Sequence, residues 1–127
     1  MRIELKTSSA KAKGRQLQQW VAAKIGEMLD LPVGKDEMIA SREMAQAGTD
    51  VRLIGEAKER FPFAVECKRQ ESWSIPSWIR QAQSNMSAGM DWLLVCRKSR
   101  EKAIVVMDAE AFFKIYTELV DYRENKK

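Results

Sequence analysis

Apolar positions Leu17, Trp20, Val21, Ile25, Met28 and Leu29 recur at helical spacing. They predict a first helix from about Ala12 to Leu31, stopped by Pro32 and Gly34, with Trp20 in the core. The pattern then shortens. Met38-Ile39-Ala40-Ser41 is compatible with a strand within an ambiguous stretch from Lys35 to Ala47, and Ala47-Gly48-Thr49 predicts a turn. Val51 to Ile54 and Phe61 to Lys68 predict two strands paired as a hairpin, joined by a polar connection over Gly55 to Arg60. Ser74-Ile75-Pro76 marks a helix start, Trp78, Ile79, Ala82 and Met86 form its apolar stripe, and Gly89 ends it. Trp92 to Cys96 and Ala103 to Met107 are short apolar runs, expected as interior strands around a polar loop over Arg97 to Lys102. Asp108 is placed to cap a last helix running to about Tyr122 and packing Phe112, Ile115, Tyr116 and Leu119, followed by a tail over 123–127.

Helix, strands, helix, strands, helix without repeat or linker predicts a single α/β domain over residues 1–127. From Met1 to Arg15 the chain carries Arg2, Lys6, Lys11, Lys13 and Arg15 against Glu4, and residues 1–11 are expected to be a basic arm, solvated or following a phosphate backbone.

Composition narrows the chemistry. A net charge of +4 permits nucleic acid as a partner without requiring it. There is no histidine in the chain, which removes Ser-His-Asp and Cys-His catalysis and His-ligated zinc. Cys67 and Cys96 each lie in an apolar run and are expected as buried, reduced thiols. No apolar run approaches the ~20 residues of a membrane span, and the basic N-terminus lacks the apolar stretch of a signal peptide. A cytoplasmic protein is expected.

Within Phe63 to Lys68, an acid and a base interrupt an apolar run two positions apart. On a strand Glu66 and Lys68 share one face and Val65 and Cys67 the other. Taken alone, Glu66 and Lys68 are an ordinary same-face pair worth ~0.2–1 kcal/mol. With Asp50 after the flexible Gly48, two carboxylates and a lysine suggest a divalent metal site acting on phosphate.

Asp50, fifteen intervening residues and Glu66-Cys67-Lys68 resemble the PD-(D/E)XK nuclease signature, with Thr49 in place of its nominal proline. The surroundings match as well: Lys13-Gly14 opening the first helix, Ser41-Arg42-Glu43-Met44 before Gly48, and Gln81-Ala82 on the helix that follows the motif strand. Over Lys11 to Asp108 the chain is similar to archaeal Holliday junction resolvases and, more closely, to small phage-type endonucleases of that superfamily.

The resemblance implies a restriction-endonuclease-like core, a mixed central sheet of four to five strands flanked by helices. It implies Mg²⁺ or Mn²⁺ held by Asp50, Glu66 and the backbone carbonyl of Cys67, with Lys68 orienting or deprotonating the attacking water. Gln81 would sit near the scissile phosphate or a metal-bound water. Gln18 falls where resolvases of this kind carry a glutamate, so the site would have one charge fewer and one-metal catalysis is the simpler expectation. DNA cleavage leaving a 5′-phosphate, a homodimer, and a phage-encoded protein or one of a bacterial or archaeal cell are implied too.

Arg42, Arg52, Arg69 and Arg80 surround the motif in sequence and could hold phosphates, although a solvated basic surface explains each singly as well. Trp73, in a polar loop after the motif strand, could wedge against DNA. The other readings are a non-catalytic nucleic-acid-binding module on the same fold and a small protein-interaction factor.

Overall fold

β3 (Phe63–Arg69) has one apolar and one mixed face, and this places it at the centre of the sheet. The computed structural model describes residues 2–43 and 48–125, with side chains from residue 9 onward. Five strands lie in sequence order, β1 (Ile39–Ser41), β2 (Val51–Leu53), β3, β4 (Asp91–Arg97) and β5 (Ile104–Met107). β1, β2 and β3 are antiparallel neighbours, β3 and β4 are parallel, and β4 and β5 are antiparallel. The parallel step requires a crossover, supplied by α3 (Ile75–Ser84). This mixed five-strand sheet flanked by helices is the restriction-endonuclease-like α/β architecture expected from the sequence.

The alternation along β3 divides the core. Phe63 and Val65 join Val51, Leu53, Leu93 and Val95 beneath Leu17, Val21, Ala22, Ile25 and Leu29 of α1 (Arg2–Leu29). On the opposite face, Trp78 and Ala82 of α3 pack on Trp92, Leu94 and Cys96. Gly26 makes the exit from α1 possible: a Cβ there would lie 2.5 Å from Val33 Cγ2 and 2.9 Å from the Leu31 carbonyl oxygen. Asp30, at φ 56°, ends the helix in the left-handed region.

Several sequence expectations need correction. The basic N-terminal segment is the first part of α1 rather than an arm, and Lys13-Gly14 lies within the helix. Ala10, Lys11, Ala12, Lys13 and Arg15 are good helix formers and carry it through Gly14. The connection over Gly55 to Arg60 is a short helix, α2 (Gly55–Arg60), which buries Ala57. Trp20 is 49% exposed, because α1 turns Leu17, Val21 and Ile25 inward and leaves Trp20 at the edge of that stripe. In α4 (Ala109–Asn125) only Ala111 is buried, while Phe112, Ile115 and Tyr116, expected in the core, are exposed. The expected Asp108 cap is present, its Oδ2 accepting from the Ala111 amide at 2.9 Å. Met44 and Ala47 of the stretch before the motif, and the last two residues of the tail, lie outside the described residues.

Candidate active site

β2 and β3 pair at a single register position, Val51 opposite Val65, and the Asp50 amide donates to the Val65 carbonyl at 3.0 Å. Two residues further along β3, the Cys67 amide has no β2 residue in register. The Asp50 side chain takes it instead, Oδ2 accepting at 2.8 Å. The short pairing of two strands thus turns a carboxylate towards the motif. The other oxygen of Asp50, Oδ1, accepts from Arg42 Nη2 at 2.7 Å in an ion pair. Gly48, at φ 105°, allows the turn that brings Asp50 to this position.

Glu66 points to the α3 face of β3. It is 1% exposed and Asp50 is 4% exposed, and these are the two buried charged side chains among the described residues. Glu66 Oε1 accepts from Asn85 Nδ2 at 2.6 Å. Burial, followed by the charge of Asp50 nearby, pushes the Glu66 carboxyl up to about 8. Two carboxylates buried side by side, one of them matched by Arg42, form a donor set that a hard dication would complete. Such ions take oxygen ligands, and a dication would offset both the burial and the Asp50 charge that keep Glu66 protonated. The residues present therefore fit a divalent metal.

Burial and the neighbouring carboxylates push the Cys67 thiol far above its ordinary value, and burial pushes Cys96 up to about 11. Neither thiol is poised as a nucleophile or a soft metal ligand near neutral pH. Lys68 is half-buried on the same face as Glu66, its Nζ 5.8 Å from the centroid of the Trp78 ring. The aromatic face holds the ammonium over α3 rather than leaving it in solvent.

The structure does not draw every sequence candidate to this point. Gln81 is exposed on α3, and its carbonyl accepts from Ser84 Oγ at 2.6 Å. One turn later Asn85, a residue the sequence reading passed over, makes the contact with Glu66. The signal available was its place four residues after Gln81, one helical turn along the same side. Gln18 is half-buried, and its Oε1 accepts from Ser41 Oγ at 3.3 Å, bridging α1 to β1. Arg52 Nη2 donates to the carbonyls of Lys35 and Glu37, which ties it to the loop before β1.

Arg69 continues the Val65 and Cys67 side of β3. It bonds Glu71 at 3.3 Å and lines a cleft with Lys13, Gln16, Arg97 and Lys102 on the α1 face. Trp73 Nε1 donates to the Gln70 carbonyl at 2.8 Å, and its ring lies beside Trp78 and under Lys98. Arg80 is exposed on α3. Of the five candidates for nucleic-acid contact, Arg42 alone is bonded to a motif carboxylate.

A family model described as "Phage putative PDDEXK endonuclease" matches residues 9–126. The chain belongs to this phage PDDEXK endonuclease family. No curated protein and no solved structure matches it. Membership identifies the chain as a nuclease, with nucleic acid as its substrate, in a superfamily that generally uses divalent metals. Among the described residues of this PDDEXK endonuclease, no helix is long and apolar enough to cross a membrane.

Proposed function

We propose that this PDDEXK protein is a Mg²⁺- or Mn²⁺-dependent DNA endonuclease. The observation that carries the proposal is the buried pair Asp50 and Glu66, set against the Cys67 backbone and beside Lys68. Asp50, Glu66 and the Cys67 carbonyl would hold the metal. When bound, the ion acidifies a water and neutralises charge on the phosphate. The chain's own groups do the rest. Asn85 fixes the Glu66 carboxyl by a charge-assisted bond, and the Cys67 amide fixes that of Asp50, so neither needs to reorganise. Lys68, restrained over Trp78, orients the attacking water and offsets charge that builds on phosphorus. Arg42, held on Asp50 at the edge of the site, and Arg80, exposed on α3, hold flanking phosphates, and Gln81, exposed on the same helix, meets a substrate oxygen.

A structure-selective substrate, such as a branched junction, suits the resolvase resemblance. A homodimer acting in the cytoplasm of a host cell suits it too, since one chain carries one such site while a duplex or junction has two strands to cut. The test is incubation of the wild type, Glu66→Gln and Lys68→Ala with branched, single-stranded and duplex DNA in Mg²⁺ or Mn²⁺. Cleavage by the wild type alone, with 5′-phosphate ends, is expected. DNA binding without cleavage by all three would support a non-catalytic binding module instead.

A further inference from the structure

We propose that two copies of this chain associate by reciprocal helix docking, the α4 of each lying in an apolar groove between α1 and β5 of the other. The proposal gives a physical form to the homodimer suggested above, and it does not depend on the nuclease chemistry.

The groove is a cavity of about 240 Å³. Trp20, Val21, Ile25 and Met28 of α1 form one wall, and Ile104 and Val105 of β5 form the other, with Phe61, Leu93 and Val95 also lining it. Trp20, Met28, Ile104 and Val105 are all exposed. β5 is the sheet edge, and an edge strand with apolar side chains is a surface that proteins ordinarily cover.

The α4 helix has the complementary shape. At 100° per residue Phe112, Phe113, Ile115, Tyr116, Leu119 and Val120 cover about half its circumference, with Glu110, Glu118, Asp121 and Glu124 on the other half. Phe112 meets Phe113 edge-on, with ring centroids 5.2 Å apart, and lies 5.9 Å from Tyr116, which makes the patch continuous. No element among the described residues packs extensively on α4. Its own groove is hard to reach, because only Asp108 separates it from β5 and that residue is committed to capping the helix.

Charge selects the occupant. From Ala109 to Asn125 the helix carries four acids against Lys114 and Arg123. The groove is rimmed by Lys24, and the cleft sharing Trp20 and Ala103 with it holds Lys13, Arg69, Arg97 and Lys102. An acidic amphipathic helix therefore meets a basic rim, and this chain itself supplies one. Area agrees. Trp20, Met28, Val105, Phe112, Phe113, Ile115, Tyr116 and Val120 are each roughly half exposed. At roughly 100 Å² of exposed surface apiece they offer ~800 Å² per copy, the size of one side of a standard interface.

Sedimentation of the full chain over a concentration series tests the proposal, with Val105→Glu in the groove and Phe113→Glu on the helix. Both sites are exposed, so each variant should fold; circular dichroism checks this, with Met28→Glu and Tyr116→Glu as substitutes. The wild type should be a dimer, and each variant should weaken association by roughly tenfold or more. Mixing the two variants should restore a heterodimer, because the intact helix of one finds the intact groove of the other. A monomeric wild type, a dimer insensitive to both substitutions, loss in Phe113→Glu only, or no heterodimer in the mixture would each overturn it; the third outcome would mean that α4 pairs with α4. Mn²⁺ binding by the monomeric variants reads the metal site separately, so failure of one reading leaves the other standing.

Discussion

Asn85 Nδ2 donates to Glu66 Oε1 across 2.6 Å, joining the end of α3 to the centre of the motif strand. The bond ties α3 to the proposed metal site, besides its role as a cover for the sheet. Asn85→Ala should leave the fold intact but lower Mn²⁺ affinity or cleavage rate by about 10–100-fold, the usual cost of losing a partner behind a metal ligand. Asn85→Gln should recover part of the loss only if the longer amide still reaches Oε1. Calorimetric titration with Mn²⁺, beside cleavage rates at saturating metal, separates affinity from rate.

The raised carboxyl of Glu66 has a sign that can be tested. Its ordinary value is 4.5 and the folded, metal-free protein holds it at about 8. The native state therefore binds more protons than the unfolded chain between those values. Glu66's contribution is fully present below pH 4.5 and is lost as pH rises through about 8. Metal-free protein should lose thermal stability over that window, by up to ~4 kcal/mol from this group. Glu66→Gln should flatten the loss, because glutamine stays neutral. Thermal denaturation in a chelator at several pH values is the measurement.

The same proton must leave when a metal arrives. Mn²⁺ affinity should rise about tenfold per pH unit below about pH 8 and level off above it. Proton release during metal titration, measured in buffers of different ionisation enthalpy, should approach one proton per ion at neutral pH.

The fold was largely legible where periodicity and burial agree. The first helix, the motif strand, the crossover helix and β4 carry strong apolar patterns, and the sheet follows from them; β5, expected as an interior strand, is the sheet edge with Ile104 and Val105 exposed. α2 escaped because a six-residue polar helix burying only Ala57 leaves no periodic signal. The packing of α4 was misread for a different reason. An amphipathic stripe shows that a helix has an apolar face but not that its own chain covers that face, and Phe112, Ile115 and Tyr116 are exposed.

At the site, spacing along two strands was enough to suggest Asp50 and Glu66. Asn85 was invisible because its partner depends on where α3 ends over the sheet. Arg52 shows the opposite failure. Its place next to the motif in sequence suggested the site, whereas the loop before β1 offers it two carbonyls.

Gly26→Ala should be destabilising by about 1–3 kcal/mol, despite alanine's better helix propensity. The added methyl group would lie 2.5 Å from Val33 Cγ2 and 2.9 Å from a backbone oxygen, which cannot easily move. A lowered denaturant midpoint with an unchanged m-value would show that stability, not compactness, had changed.

If the buried Asp50 and Glu66 pair forms a metal-dependent cutting site, neutralising Glu66 should abolish metal binding and cleavage together. Wild type and Glu66→Gln are titrated with Mn²⁺, then incubated with branched, single-stranded and duplex DNA with and without the metal. Metal-dependent cleavage by the wild type is expected, with Glu66→Gln folded, impaired in Mn²⁺ binding and inactive. Equal Mn²⁺ binding by the two proteins, or equal cleavage by both, would contradict it.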